Sequence, residues 1–187
     1  MDGKVLGAYA SKYGSTQEVA EAIAETLRKS GFEVDLQPMR KVHTLEGYGS
    51  VVLGAPLYFG LWHKDALNFL ARHQEVITKR SVFIFALGPT STDEQEMQAG
   101  RAMLDKELAK FPWLKPTARE VFGGKYDPAK LRFPDNLIAS LPASPLHGAP
   151  ASDGRDWNAI RNWASGLGQE VAVLAEGANP LIHANER

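Results

Sequence analysis

The chain has 187 residues, 44% of them hydrophobic and 23% charged, enough to bury one compact core and far from the composition of a disordered segment. It contains no cysteine, which removes disulfides, thiolate zinc sites, iron–sulfur clusters and cysteine nucleophiles. A net charge of −1 supplies neither the basic field that a nucleic-acid backbone requires nor a polybasic anchor for anionic lipid, so nucleic acid is not an expected partner.

From the amino end, Lys4 leads directly into a short apolar run without the longer apolar core of a secretory signal. No uncharged apolar run approaches the roughly 18–20 residues that span a bilayer. A cytoplasmic protein, at most peripheral to a membrane, is expected.

Residues 5–10 form the first apolar run, and 16–30 repeat apolar residues at Val19, Ala22, Ile23 and Leu27, a strand followed by an amphipathic helix. Gly31 supplies a left-handed stop, after which Phe32, Val34 and Leu36 alternate with polar residues up to Pro38 as a second strand. The third strand, Val51, Val52 and Leu53, runs into Gly54, Ala55 and Pro56, and the spacing of Ala66, Phe69 and Leu70 predicts a helix over 62–77. A continuous apolar strand over 81–87 precedes Gly88 and Pro89, and a helix is expected over 92–111. Residues 118–122 read as a weaker strand before two glycines. The last helix covers 156–174 with Asp156 as its N-cap.

Near-continuous apolar strands that alternate with helices predict an α/β three-layer sandwich, a five-stranded parallel sheet covered by right-handed crossovers. Residues 112–150 interrupt the rhythm with seven prolines, at 112, 116, 128, 134, 142, 145 and 150, an insertion too long for a simple connection. One domain over 1–175 and a poorly ordered tail over 176–187 are expected.

Ligands of open parallel sheets lie beyond the carboxyl ends of the strands, which directs attention to three loops. After the first strand, Ser11, Lys12, Tyr13, Gly14, Ser15 and Thr16 crowd three aliphatic hydroxyls and a glycine onto a helix amino terminus. Its unpaired N–H groups and positive dipole end suit a phosphate. The plainer alternative is that Ser15 or Thr16 only caps the helix. Neither G-x-x-x-x-G-K-[ST] nor G-x-G-x-x-G is present, which demotes a nucleoside triphosphate and a dinucleotide. The loop after the third strand, Pro56, Leu57, Tyr58, Phe59, Gly60 and Trp62, places three aromatics within five residues, suited to flank a planar ring. Leu87, Gly88, Pro89 and Thr90 after the fourth parallel strand offer amides for a ring edge, or ordinary capping of the next helix.

S-x-x-G-x-T after the first strand and A-P-x-Y-x-G after the third resemble the flavodoxin family, whose sheet has the order 2-1-3-4-5 and whose FMN lies at its first and third strands. More narrowly, Phe59-Gly60 with His63, Asp65-Ala66 to Phe69 and the late Asp156-Trp157 helix resemble the flavodoxin-like menaquinone-dependent protoporphyrinogen dehydrogenases. The resemblance implies that Ser11, Lys12, Gly14, Ser15 and Thr16 hold the FMN phosphate and that the second and third loops hold the isoalloxazine, with Tyr126 offered as cover for its outer face. Protoporphyrinogen-acting members carry a strongly basic aromatic insertion. Here that stretch has only Lys125, Lys130 and Arg132 among apolar residues, which weakens the case for a tetrapyrrole.

An FMN-dependent oxidoreductase acting on a quinone-like molecule beneath an apolar lid of Leu131, Phe133, Leu137, Ile138 and Leu141 is therefore the leading expectation. A structural insertion or a homodimer contact is the plainer use of those residues. The alternative function is a flavodoxin-type electron carrier for redox proteins, for which strong acidity is usual and −1 is a poor match. The catalytic chemistry would be the flavin's own, and no catalytic side chain is assigned. A phosphate-accepting receiver domain is set aside, because Ala8-Tyr9-Ala10 and Gly54-Ala55-Pro56 lack the acidic residues it needs. Histidines 43, 63, 73, 147 and 183 show no metal-ligand spacing, so no metal is expected.

Overall fold

The computed structural model describes residues 4–58, 60–144 and 146–177. In chain order the elements are β1 (Lys4–Tyr9), α1 (Ser15–Lys29), β2 (Glu33–Pro38), β3 (Ser50–Tyr58), β4 (Leu61–Trp62), α2 (Lys64–Ile77), β5 (Ser81–Leu87), α3 (Glu94–Leu108), β6 (Ala118–Phe122), β7 (Lys125–Tyr126), α4 (Asp135–Ser140), β8 (Ser152–Asp153) and α5 (Trp157–Gly177).

Five strands pair in parallel in the order β2-β1-β3-β5-β6, which is 2-1-3-4-5 when the parallel strands are counted alone. The fold is flavodoxin-like, an α/β sandwich with helices on both faces. Strand alternation divides the apolar residues between the two faces. Val5, Val52, Phe83 and Phe85 pack with α1 and α5 through Val19, Ile23, Leu27, Ile160 and Leu167. Leu6, Leu53 and Ile84 pack with α2 and α3 through Phe69, Leu70 and Leu104. The sequence order reverses between β1 and β3, and the crevice outside their carboxyl ends is the ligand position of such sheets.

Local chemistry sets the element ends. Gly31 has φ +91°, and Phe32 N–H donates to the Leu27 carbonyl, the left-handed stop expected after α1. The Asp156 carboxylate accepts from Asn158 N and Ala159 N, capping α5 as expected. The expected tail begins within α5, and residues 178–187 lie outside the described residues.

The stretch after Leu53 departs from expectation. β3 continues to Tyr58 and folds back through Gly60, at φ +78°, so that Leu57 pairs with Trp62 and Tyr58 with Leu61. Trp62 is therefore not the first residue of a helix. Its indole N–H donates to the Ala55 carbonyl over 3.2 Å, and α2 begins only at Lys64, with His63 Nδ1 accepting from Asp65 N. The helical spacing from 62 was misleading because Trp62 shares the apolar layer of α2 without sharing its backbone.

Candidate functional site

The loop after β1 has the donors and the turn that an anion socket would need. Gly14 is the N-cap of α1 at φ +91°, and no side chain caps that end; a left-handed turn of this kind suits glycine. The capping role open to Ser15 or Thr16 is thus not taken. Gly14 N donates to Ser11 Oγ over 3.0 Å, tightening the turn. Thr16 is 1% exposed, and its hydroxyl is buried without a hydrogen-bond partner, a state that normally costs about 1–3 kcal/mol. An orphaned hydroxyl beside unpaired first-turn amides is what a phosphate oxygen would satisfy.

Charges around the socket are drawn away from it. Glu18, in the first turn of α1, pairs with Arg155 at 2.6 Å, and Arg155 also pairs with Asp153 at 2.6 Å and lies 4.7 Å over the Trp157 ring. Asp153, Arg155 and Glu18 thus form one ion-pair cluster, while Asp156 caps α5. Lys12 does not turn to the socket: its Nζ lies 2.6 Å from Asp135 on α4. Tyr13 Oη donates to the same Asp135 oxygen over 2.5 Å. Lys12 and Tyr13 together hold the Asp135 carboxyl below the usual carboxylate range.

Beside the socket opens a cleft of about 380 Å³, within the size of small-molecule sites. Tyr13 and Ser15 line one end, Pro56, Leu57 and Tyr58 one wall, and Leu87, Gly88, Pro89 and Thr90 the other. At its edge three backbone segments press together. A Cβ on Gly124 would fall 2.4 Å from the Gly88 carbonyl oxygen, and one on Gly154 would fall 2.8 Å from that of Thr90. Gly124 N–H bonds the Pro89 carbonyl and Gly154 N–H the Gly124 carbonyl. Burial, and next to it Tyr13 and Asp135, push the Tyr58 hydroxyl up to about 12, so it keeps its proton.

The 112–150 insertion closes the cleft. Tyr126, Leu131, Ile138, Ala139 and Leu146 line it, with Lys125, Asp127, Lys130 and Asp135. Of the expected lid, Leu131 and Ile138 line the cleft, whereas Phe133, Leu137 and Leu141 do not and are 78%, 55% and 50% exposed. Two other expectations fail locally. Trp62 is buried in the core and does not line the cleft, and Gly60 is taken up by the β3–β4 turn with Met103 Sδ as its neighbour. Phe59 lies outside the described residues. Asp135, Leu146, Glu96 and Glu18 line the cleft without having been singled out. Gly123-Gly124 at the carboxyl end of β6 was the one local signal for the third wall.

The Flavodoxin domain family model matches residues 6–150. The chain belongs to that family. FMN is accordingly its cofactor, and the alcohol-lined socket with its orphaned hydroxyl fits the FMN phosphate. The chain is 24% identical over 185 residues to the protoporphyrinogen IX dehydrogenase [quinone] of Escherichia coli strain K12, covering 92% of this chain and 97% of that one. Among solved structures, the Streptococcus pneumoniae TIGR4 flavodoxin superposes with TM-score 0.57 at 14% identity, covering 91% of this chain and 99% of that one. A flavo di-iron protein from Thermotoga maritima, solved as a mutant, gives 0.58 at 15% identity, covering 91% of this chain and about a third, 36%, of that one. The flavodoxin-type protein described here is thus an FMN oxidoreductase or carrier. Among the described residues no helix is long and apolar enough to cross a membrane, and no three His, Asp or Glu side chains group as metal ligands.

Proposed function

We propose that this flavodoxin-domain protein is an enzyme, an FMN-dependent oxidoreductase that exchanges electrons with a small quinone-like substrate. The observation that carries the reading is the lid: Tyr126, Leu131, Ile138, Ala139 and Leu146 complete an apolar chamber over the carboxyl edge of the sheet. A carrier that docks on redox proteins needs an accessible ring edge and gains nothing from such a chamber. In this reading Ser11, Gly14, Ser15 and Thr16 hold the phosphate. Pro56, Leu57, Tyr58, Leu87, Gly88, Pro89 and Thr90 flank the isoalloxazine. When bound, FMN supplies the electron or hydride transfer. Tyr58 Oη, protonated across the working pH range, donates a hydrogen bond toward a carbonyl oxygen in the chamber and is not a base.

The name of the Escherichia coli relative offers protoporphyrinogen as a second substrate, but Lys125 lies 3.7 Å from Asp153 and Lys12 is committed to Asp135, which leaves few cations for its carboxylates. Exposed Phe133, Leu137 and Leu141 beside Arg132 suit exchange of an apolar quinone at a lipid surface. The test is anaerobic stopped-flow mixing of the reduced FMN-loaded protein with a soluble naphthoquinone, with a reduced tetrapyrrole and quinone together, and with an oxidised c-type cytochrome. Saturable reoxidation by the quinone supports the enzyme; reaction with the cytochrome alone refutes it.

A further inference from the structure

We infer that Lys12, Tyr13 and Asp135 form a latch through which filling of the phosphate socket closes the lid. The inference rests on the socket as the place of the FMN phosphate and goes beyond it by giving two loop residues a task other than phosphate contact. Lys12 and Tyr13 lie between Ser11 and Gly14, the two ends of the turn that the Gly14 N–H to Ser11 Oγ bond closes. Both reach out of that turn to one carboxylate oxygen, Asp135 Oδ2, at 2.6 and 2.5 Å, across 122 positions of sequence in the case of Tyr13. Tyr13 Oη also accepts from Arg132 N over 3.4 Å, and Lys12 Nζ lies 5.7 Å from the Tyr13 ring centre.

Among the described residues, no other polar tie holds the part of the lid beyond Asp127. Among the described residues, every hydrogen bond or ion pair from residues 128–149 to the rest of the chain, apart from turn bonds to the neighbouring Asp127, runs to Lys12 or Tyr13. What remains is apolar contact through the cleft, since Phe133, Leu137 and Leu141 face solvent. An exposed ion pair alone contributes little. A phenol donating to a carboxylate that also holds an ammonium is a charge-assisted bond and contributes more. A phosphate bound by Ser11, Gly14 and Thr16 fixes the backbone between them, so the donors at 12 and 13 are ordered before they meet Asp135. Closure then costs less conformational entropy, and the two events favour one another.

Trypsin reads the lid directly, because Lys130 and Arg132 lie in it. Cleavage of a transiently opened segment follows the open population when reclosing is fast. In the unliganded full chain, Asp135→Asn should raise cutting after Lys130 and Arg132 about tenfold, the factor that 1.4 kcal/mol gives, with a smaller rise for Tyr13→Phe, which keeps the ring in the cleft. The double variant should cut no faster than Asp135→Asn. Saturating FMN should protect the wild-type lid several-fold more than saturating riboflavin, which lacks the phosphate, and this difference should vanish in Asp135→Asn. Unchanged cutting in Asp135→Asn and Tyr13→Phe overturns the latch. Equal protection by FMN and riboflavin overturns the coupling, and faster cutting with FMN reverses it by showing that Lys12 leaves Asp135 for the phosphate. Failure of wild type to quench FMN fluorescence would instead overturn the socket, while the unliganded rates still report on the latch.

Discussion

Removing the Thr16 hydroxyl should move the empty and the loaded protein in opposite directions. Thr16→Val keeps the shape of a side chain that is 1% exposed and deletes an oxygen that has no partner. In the empty protein the deletion relieves an unpaired buried group, and the chain gains up to about 1–3 kcal/mol. With a urea dependence of about 2 kcal/mol per molar, even about 1 kcal/mol displaces the midpoint upward by about 0.5 M. With the FMN phosphate in the proposed socket, the same oxygen would bond a dianion, a contact contributing about 1.5–3 kcal/mol. FMN affinity should therefore fall about 10- to 150-fold, and with it the stabilisation that a given excess of FMN confers. Two measurements suffice, urea unfolding with and without FMN and quenching of FMN fluorescence. Thr16→Ser, which keeps the oxygen, should retain most of the affinity. Lower stability of the empty Thr16→Val chain together with unchanged affinity would refute the assignment, since it would make the hydroxyl a structural group with a partner inside the fold.

Gly54→Ala tests the packing beneath the site: a Cβ there would lie 1.9 Å from Phe85 Cζ, and Phe85 is 1% exposed, so the urea midpoint should fall by the equivalent of about 3 kcal/mol. A change below about 0.5 kcal/mol would show that the ring yields. His63 concerns acid stability. Burial lowers its pKa from 6.5, outweighing the nearby Asp65 carboxylate that raises it and acting with Lys64 and Lys12. The unfolded chain therefore takes up a proton first as pH falls, and the contribution, complete above 6.5, is lost as pH falls through the folded value. His63→Asn retains a capping acceptor for Asp65 N and does not titrate, so its unfolding free energy should decline less between pH 7 and 5; parallel curves would contradict the assignment.

The parallel sheet was legible because its central strands are apolar runs and its helices repeat at 3.6, and burial on both faces demands that pattern. The turn that opens α1 was legible because its residues are consecutive and lie after β1. The region from Trp62 to the lid was less legible, for different reasons. Trp62 carries the spacing of α2, yet its backbone pairs with Leu57, a long-range choice that local periodicity does not encode. Lys12 was read as a phosphate ligand through the family resemblance, whereas an acidic residue more than a hundred positions away claims it. The lid has no long period to read: α4 has six residues among prolines, too few for sequence spacing to show that Ile138 and Ala139 line the cleft and Leu137 does not.

These long-range pairings also bear on what the chamber admits. Glu18 is matched by Arg155, Asp135 by Lys12 and Asp153 by Lys125 and Arg155, so most charges lining the cleft or bordering it are neutralised within the chain. Lys130 alone among the lining cations has no carboxylate within 4.0 Å among the described residues, and Asp127 and Glu96 share the same cleft. A substrate bearing two carboxylates would have to break an existing pair to find a second cation, losing the closure of Asp135 or the brace at Arg155. A neutral quinone asks for neither: it needs apolar walls and one or two hydrogen-bond donors, which Tyr58 Oη and the loop amides provide. In the proposed reading the internal pairing of charge favours an uncharged electron acceptor, for the same reason that it would leave the phosphate to hydroxyl and backbone donors.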